Sequence, residues 1–399
     1  MLRDQIDFFG SVMRVTGIKL GERVRPLRPV TDARVVPSRV EQLTTEWLTG
    51  ALCAGHPGAA VTDFSLGDGS DGTSSRRGLT VTYNDPGTAA GLPTAVYTKS
   101  TPSLLNRLLI GVTGAAGAEA LFYGSIRPQL EIGAPEGYFG AWDPRTCRSM
   151  ILTEDIAVAR GATFADASTM HVDRQAAESM VAEMAGYHGA LWEDPRLDRE
   201  WTTILDAETW QRNFNTKTRF DAGAVLGMRL AGEEVPPELQ ARRGELRSAL
   251  MRSLAHNVRG PQTLLHQDVH PGNWFRLPDG SLNLYDWQGI AKGGWALDVS
   301  YALSAALTVE DRRAWERDLL GLYLDQLAAA GGKPPAFDDA WLAYRQQMFH
   351  GFVFWAYTFL VGKVAPLQPD EHVRALIRRT GQAIVDLESL DSLDRTPGA

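Results

Sequence analysis

Three polar side chains lie close together in the stretch from Leu264 to Gln288. Asp268 and Asn273 are five residues apart in a polar loop, and Asp286 follows two short apolar runs. Phosphoryl transfer needs a carboxylate near the acceptor hydroxyl and oxygen ligands for Mg²⁺ on the nucleotide phosphates. Asp268 is placed to be the base, and Asn273 and Asp286 can supply the metal ligands.

A hairpin is the element that must position these residues. The apolar runs 274–277 and 282–285 are strand-like, and Pro278-Asp279-Gly280 between them is a strong turn signal. A loop followed by such a hairpin brings all three side chains to one edge. Alternatively, Asp268 and Asn273 merely cap a turn, as these residue types often do. The whole constellation, with its spaced Asp286, favours the chemical interpretation.

The stretch resembles the H-G-D-x-H-x-x-N loop and following Asp of the aminoglycoside phosphotransferase and choline kinase group, small-molecule relatives of protein kinases. Gln267 stands where that group usually has Gly. A side chain there is expected to narrow the acceptor site or to donate a hydrogen bond to it. The similarity is closest to the ecdysteroid-kinase-like branch, judged from segments 98–100, 119–123 and 153–155 together with the loop.

The resemblance implies an α+β, two-lobed protein-kinase-like fold. Residues 1–153 would form a nucleotide-binding lobe of a sheet plus a helix. Residues 154–399 would form a mainly helical lobe for catalysis and acceptor binding. Within the second lobe, the resemblance implies that Asp298 braces the catalytic loop through backbone hydrogen bonds. We expect His188 and His266 to be packing residues.

Lys99 and Glu119 are the predicted phosphate-binding ion pair. Lys99 ends a strand-like run, and Glu119 lies twenty residues later in a helical stretch, 115–126. A lysine that neutralises nucleotide phosphates needs a carboxylate to hold its flexible stem. An ordinary surface lysine at a strand end is the alternative.

Two further segments are predicted to contact the nucleotide. Small residues between the first two strands would let backbone N–H groups approach phosphates, although such loops are mostly just hairpins; the candidates are Gly69, Ser70, Gly72 and Thr73. The resemblance also places the linker between the lobes at Leu152, Thr153, Glu154 and Asp155. Adenine would meet main-chain atoms there, and the two acidic side chains can be solvated.

The remaining pattern predicts mostly helices. Segments 38–52, 173–193, 240–258, 309–330, 337–360 and 369–390 have apolar residues at helical spacing, and 201–232 is irregular and mixed. Aromatic residues recur in segments 201–220 and 348–359, at Trp201, Trp210, Phe214, Phe352, Trp355 and Tyr357. They are either core or the wall of an acceptor pocket for a largely apolar alcohol.

The composition excludes some classes of protein. Among 399 residues, 48 are acidic and 40 basic, a net charge of −8 that argues against general nucleic-acid binding. Two cysteines make no disulfide framework, which fits a reducing compartment. The N-terminus has no signal-peptide pattern, and the longest apolar run is too short to span a membrane. We therefore expect a cytoplasmic protein with no membrane partner.

The expected reaction moves the γ-phosphate of ATP, with Mg²⁺, onto a hydroxyl of a small molecule. A nucleotide-binding pseudokinase and an aminoglycoside-type antibiotic kinase are the alternatives. A protein kinase is disfavoured because no A-P-E segment follows Asp286. The choice between ATP and GTP and the oligomeric state stay open.

Overall fold

The chain forms two compact units in a computed structural model that describes residues 2–24, 27–72, 74–363 and 368–396. The first unit comprises Met1–Leu130 with Ala134–Ala162, and the second comprises Glu131–Gly133 with Thr163–Ala399. The division after residue 162 lies nine positions beyond the boundary expected from the sequence (162 − 153).

The first unit is built on one antiparallel sheet. Its strands are β1 (Val61–Asp71), β2 (Ser75–Tyr83), β3 (Ala95–Ser100), β4 (Gly137–Asp143) and β5 (Arg148–Glu154). The strand order is β1-β2-β3-β5-β4. The helices are α1 (Leu2–Val24), α2 (Thr45–Leu52), α3 (Asp85–Ala89), α4 (Leu104–Asn106), α5 (Ala115–Leu121) and α6 (Ile156–Arg160). Helix α5 continues directly into a π-helical turn, Phe122–Ile126.

Helix α2 begins later than the sequence predicts. Thr44, not Ser38, is the N-cap, because its hydroxyl accepts the N–H of Trp47 at 3.2 Å. The Ser38 hydroxyl instead donates to the Gln42 side-chain oxygen at 2.6 Å, in a separate 3₁₀ turn. Trp47 is fully buried in the core of this unit, so the later start keeps the apolar face of the helix on the sheet.

The second unit is mainly helical. Its helices are α7 (Arg174–Ala190), α8 (Arg196–Arg199), α9 (Ala207–Thr218), α10 (Phe220–Ala231), α11 (Pro237–Ala241), α12 (Leu246–Asn257), α13 (Ala296–Ala306), α14 (Val309–Ala329), α15 (Phe337–Gln346), α16 (Phe349–Gly362), α17 (Asp370–Asp386) and α18 (Ser389–Ser392). Short strands are β6 (Thr163–Phe164), β7 (Thr263–Leu265), β8 (Trp274–Arg276), β9 (Leu282–Leu284) and β10 (Ala291–Gly293). They pair as β6-β8-β9 and β10-β7. The predicted α+β class is confirmed, with a five-stranded antiparallel sheet in the first unit and a mainly helical second unit.

Two helix predictions in this unit were wrong, and the irregular pattern of segment 201–232 corresponds to two regular helices. Segment 201–232 is not irregular: the Asp206 carboxylate caps α9, and Arg219 in a left-handed conformation (φ 54°) separates it from α10. Segment 240–258 is broken between α11 and α12. Segment 337–360 is broken between α15 and α16, where the Gln347 carbonyl accepts the Ser300 hydroxyl at 3.0 Å instead of continuing a helical ladder.

Candidate membrane spans were sought in the described ranges. No single helix there is long and apolar enough to cross a membrane. One bent pair, Leu104–Gly111 with Ala115–Gln129, passes by length and composition only, with 74° between its two parts.

Candidate active site

The catalytic loop lies between β7 and β8 and is closed by the hairpin that follows it. Tyr285, directly before Asp286, donates its N–H to the Asn273 carbonyl at 3.0 Å. The Gly280 turn joins β8 and β9 with φ 91°, a conformation that favours glycine. The hairpin predicted from the sequence is thus present. It joins the segment before Asp286 to Asn273 by a backbone hydrogen bond.

Asn273 is fixed by Asp268. Its side-chain N–H₂ group donates to the Asp268 carbonyl at 2.7 Å and to the Asp268 carboxylate at 3.0 Å. The Asp268 side chain keeps about a third of its surface exposed (34%). These bonds fix which end of the Asn273 amide is nitrogen, so its oxygen is directed away from Asp268. An oxygen ligand and a partly open carboxylate are therefore held five residues apart.

Asp286 is buried (8% exposed) and has a left-handed backbone, φ 64°. An L-residue in this conformation costs roughly 1–2 kcal/mol. Within the described part of the chain, no cluster of three or more His, Cys, Asp or Glu side chains suits a metal. Mg²⁺ does not require such a cluster, because it usually binds one or two carboxylates together with waters and substrate phosphates. The oxygen donors of Asp286 and Asn273 fit that requirement.

Asp298 holds the backbone of the catalytic loop, as the sequence predicts. It is fully buried and accepts the N–H groups of His266 at 2.7 Å and Gln267 at 2.9 Å. Tyr187 donates its hydroxyl to the same carboxylate at 2.8 Å. Burial alone would raise the pKa of Asp298, but hydrogen bonding with His188 and the loop outweighs it and lowers that pKa. The loop is therefore anchored by an ionised carboxylate.

The predicted packing histidines are both buried. His188 lies between the Tyr323 hydroxyl, at 2.8 Å, and Asp298, at 3.4 Å. His266 contacts the Tyr285 carbonyl at 3.1 Å and packs edge-on against Trp287. Burial lowers the pKa of both imidazoles. Both histidines are therefore packing residues, as expected: His188 contacts Asp298, which anchors the loop, and His266 contacts the residue before Asp286.

Gln267 occupies an unfavourable environment. Its φ of 65° is left-handed, which explains why glycine suits this position. Its side chain is buried (3% exposed), and neither the amide nitrogen nor the amide oxygen has a hydrogen-bond partner in the described ranges. The sequence missed a second support of this residue: His350 contacts the Gln267 carbonyl through Nε2 at 3.0 Å. No local signal links residues 83 positions apart.

Three more buried histidines make the second unit sensitive to acid. Burial lowers the pKa of His270 to about 3 and that of His350 and His372 to about 4, from 6.5. The folded state therefore binds fewer protons than the unfolded state between these values and 6.5. The free energy of unfolding should decrease as the pH is lowered through this window. Each histidine contributes about 1.4 kcal/mol per pH unit, and the three together contribute about 4 kcal/mol per pH unit.

Urea unfolding of the second unit at pH 7.0 and 5.5 measures this loss. His372→Asn should reduce the pH slope by about 1.4 kcal/mol per pH unit, since an amide oxygen can replace the ring nitrogen that accepts the Ala167 N–H. His171→Asn, at an exposed position, is the matched control and should leave the slope unchanged. Equal stability of the wild type at both pH values would contradict the prediction.

The predicted ion pair of the first unit is present. Lys99 on β3 and Glu119 on α5 approach to 2.7 Å, with side chains 12% and 2% exposed. Lys99 is paired in the sheet with Arg76 and Ile151, which fixes its backbone. The lysine head group is therefore held by a carboxylate that is itself packed in the core.

The glycine- and serine-containing segment is not a loose loop. Gly69 and Ser70 lie within β1 and pair with Arg77 and Arg76 of β2. Strand β1 ends at Asp71 and β2 begins at Ser75, and between them the Gly72 N–H donates to the Ser74 carbonyl at 2.9 Å. Gly69 and Ser70 are therefore strand residues, because small residues do not prevent strand pairing. Thr73 lies outside the described residues.

The predicted linker is mostly strand. Leu152, Thr153 and Glu154 belong to β5, and the Glu154 N–H donates to the Glu136 carbonyl at 2.9 Å. The Glu154 carboxylate pairs with Arg160 at 2.5 Å. Asp155 caps α6 by accepting the Val158 N–H at 3.2 Å. In this conformation, the Glu154 N–H is therefore not available to a nucleotide.

Five aromatic rings form a connected cluster on α9, α10 and α16. Phe354 lies 6.0 Å from Trp210, 5.8 Å from Phe214 and 4.4 Å from Phe220 between ring centroids, and Phe220 lies 4.7 Å from Tyr357. Of these, only Phe220 is fully buried; the other four are partly exposed. We call Trp210, Phe214, Phe220, Phe354 and Tyr357 the aromatic cluster.

Three of the predicted wall residues lie elsewhere. Trp201 is buried beneath Arg196, whose guanidinium lies 5.0 Å from the ring. Phe352 is fully buried, and Trp355 packs edge-on against His270 at 4.9 Å. One face of the aromatic segment is therefore partly exposed, whereas the other face is core, and the acceptor pocket stays a prediction.

Residues 171–345 match the sequence model of the phosphotransferase enzyme family, APH. This segment contains Asp268, Asn273 and Asp286. The match supports the resemblance to the aminoglycoside phosphotransferase group, and the ecdysteroid-kinase-like branch stays a prediction. No match was found among the curated proteins.

Several solved structures are similar to the chain. Choline kinase LicA from Streptococcus pneumoniae is 13% identical, covering 82% of this chain and 94% of that chain, with TM-score 0.43. Plasmodium vivax ethanolamine kinase is 9% identical, covering 80% and 81%, with TM-score 0.43. Macrolide 2'-phosphotransferase MphH from Brachybacterium faecium is 15% identical, covering 83% and 95%, with TM-score 0.39. The similarity extends over most of this chain at low identity.

Proposed function

We propose that this protein transfers the γ-phosphate of ATP to a hydroxyl of a small, largely apolar alcohol. The observation that carries the proposal is the pair of bonds from Asn273 to Asp268, in a loop anchored by Asp298. They hold a partly exposed carboxylate and an amide oxygen in fixed positions within the segment that matches the phosphotransferase family. Residues 154–399 would carry catalysis and acceptor binding, and residues 1–153 would bind the nucleotide.

Asp268 is the proposed base. Its exposed carboxylate orients the acceptor hydroxyl and takes its proton as the oxygen attacks phosphorus. The bond from the Asn273 amide keeps the carboxylate from rotating freely. A positioned general base typically contributes about 10²–10⁴-fold in rate.

Asp286 and Asn273 are the proposed Mg²⁺ ligands. The metal would neutralise charge on the nucleotide phosphates. In the first unit, Lys99 is the proposed cation for the phosphates, held in place by Glu119. The turn at Gly72 and the end of β5 near Asp155 remain proposed nucleotide contacts.

The charges around the aromatic cluster favour an apolar acceptor over a polycationic one. Asp206 caps α9 by accepting the Thr209 N–H at 2.8 Å. Glu208 pairs with Arg212, and Asp221 pairs with Arg247 at 2.5 Å. A polycation needs several carboxylates to replace its hydration. Those nearest the cluster already have partners, whereas partly exposed rings suit apolar surface.

A paired acceptor panel tests the proposal. With labelled MgATP, we expect turnover of steroid alcohols and cyclohexanols and at least tenfold lower kcat/KM for kanamycin, because few carboxylates are free to bind its amines. Trp210→Ala should raise KM for the apolar acceptors, and Trp201→Ala, which alters a ring outside the cluster, is the matched control. Efficient turnover of kanamycin alone would show an aminoglycoside kinase. Nucleotide binding without turnover of any alcohol would show a pseudokinase.

A further inference from the structure

The side-chain amide of Gln267 is buried without a hydrogen-bond partner, although the backbone of the same residue is fully engaged. Its N–H donates to Asp298 and its carbonyl contacts His350, at 2.9 and 3.0 Å. Across the described residues, neither the side-chain Nε2 nor the side-chain Oε1 has a partner. A buried amide left unpaired destabilises the folded state, since it forgoes the hydrogen bonds it makes with water when unfolded.

Two separate costs therefore coincide at one residue. The left-handed backbone (φ 65°) disfavours any residue with a Cβ, and the unpaired amide adds a second penalty. Glycine would remove both. Conformational strain and unsatisfied groups that persist together are typical of functional positions, where the side chain serves a ligand rather than the fold.

Gln267 lies beside the proposed base in the loop, and its backbone contacts a histidine that packs on the aromatic cluster. A Cβ built on Gly289 would lie 3.7 Å from the Asp268 Cβ and 3.8 Å from the Gln267 Cβ, so both side chains leave the loop beside Gly289. On the other side, the His350 ring that contacts the Gln267 carbonyl lies 4.6 Å from Phe354 of the cluster. The Gln267 Cβ and that of the proposed base therefore both lie near Gly289, and the Gln267 carbonyl contacts a histidine packed against the aromatic cluster.

We propose that the Gln267 amide binds a second polar group of the acceptor, beside the hydroxyl that receives the phosphate. An amide offers two N–H donors and one oxygen acceptor, which a hydroxyl or a neutral amine can match. The inference rests on the proposed function and narrows it. The acceptor class becomes an apolar alcohol with a further hydroxyl or amine, such as a diol. The left-handed backbone is retained because glycine would lose this contact.

Gln267→Met is the decisive variant because it keeps the length of the side chain and removes only the amide. With cyclohexane-1,2-diol and estriol, KM for the acceptor should rise at least tenfold, while kcat and the KM for ATP stay within twofold. With cyclohexanol and estradiol, which lack the hydroxyl on the carbon next to the accepting one, KM should change less than threefold. The discrimination between each pair should therefore largely disappear.

Thermal unfolding provides a readout that does not depend on the acceptor. If the Gln267 amide has no partner until a ligand binds, the Tm of Gln267→Met should be at least that of the wild type. If the amide instead bonds to internal water, the Tm of the variant should be lower. Gln267→Gly should also relieve the backbone strain. Glu193→Gly is the matched control, because Glu193 is another left-handed residue (φ 51°) whose side chain is exposed.

The outcomes separate this inference from the proposed function. If wild-type protein phosphorylates the alcohols and Gln267→Met leaves every KM unchanged, the inference is overturned and the function stands. A fall in Tm for Gln267→Met also overturns it. If wild-type protein phosphorylates none of the alcohols, the proposed function fails and this acceptor contact fails with it.

Discussion

Asp268→Ala is expected to reduce phosphate transfer by about 10²–10⁴-fold, the usual contribution of a positioned general base. The fold should survive, because the loop is anchored through the backbone N–H groups of His266 and Gln267 and not through the Asp268 side chain. Asn273 keeps its stronger bond to the Asp268 carbonyl, at 2.7 Å, so the metal ligand stays oriented. Nucleotide affinity should therefore change little. Single-turnover rates with labelled ATP and titration of MgATP measure the two quantities separately.

Asp279→Ala is the matched control for this variant. Asp279 lies in the turn of the hairpin, and its carboxylate accepts the N–H and hydroxyl of Ser281. Its loss should leave transfer within twofold of the wild type. If Asp268→Ala retained most of the wild-type rate, Asp268 would have to be replaced as the proposed base.

The catalytic loop could be predicted from the sequence because its contacts are local. Asn273 contacts Asp268 five residues away, and the hairpin that leads to Asp286 has an unambiguous turn at Gly280. The brace from Asp298 is more distant, about thirty residues along the chain, and came from the family resemblance. Residue type and spacing were sufficient for the loop and the hairpin, whereas the contact from Asp298 required the resemblance.

Other features depend on contacts that local patterns do not show. The apolar residues of 201–232 have an irregular spacing because two helices meet at Arg219. Arginine rarely adopts the left-handed backbone found there, so its residue type does not indicate the break. The resemblance placed a linker at the end of β5. The hydrogen bond from the Glu154 N–H to the Glu136 carbonyl, which keeps this segment in the sheet, has no local signal in the sequence. The unpaired amide of Gln267 and its support from His350 require tertiary structure. Sequence alone marked Gln267 only as a departure from the usual glycine.

Asp286→Ala is expected to abolish the effect of Mg²⁺ on nucleotide binding and to lower activity on the order of 10³-fold. A metal at a phosphoryl group stabilises the transition state by several kcal/mol, and each 1.4 kcal/mol corresponds to a factor of ten. Replacing it should also relieve little strain, because alanine is no better suited than aspartate to φ 64°.

Isothermal titration with ATP in Mg²⁺ and in EDTA separates a metal ligand from a structural residue. Wild type and variant should bind ATP alike in EDTA, and only the wild type should bind more tightly when Mg²⁺ is added. Asp286→Asn keeps one oxygen donor and should recover part of the Mg²⁺ effect. A variant that binds MgATP and transfers phosphate like the wild type would remove Asp286 from the metal site. One that binds ATP less tightly even in EDTA would show that the residue supports the fold of the site rather than the metal.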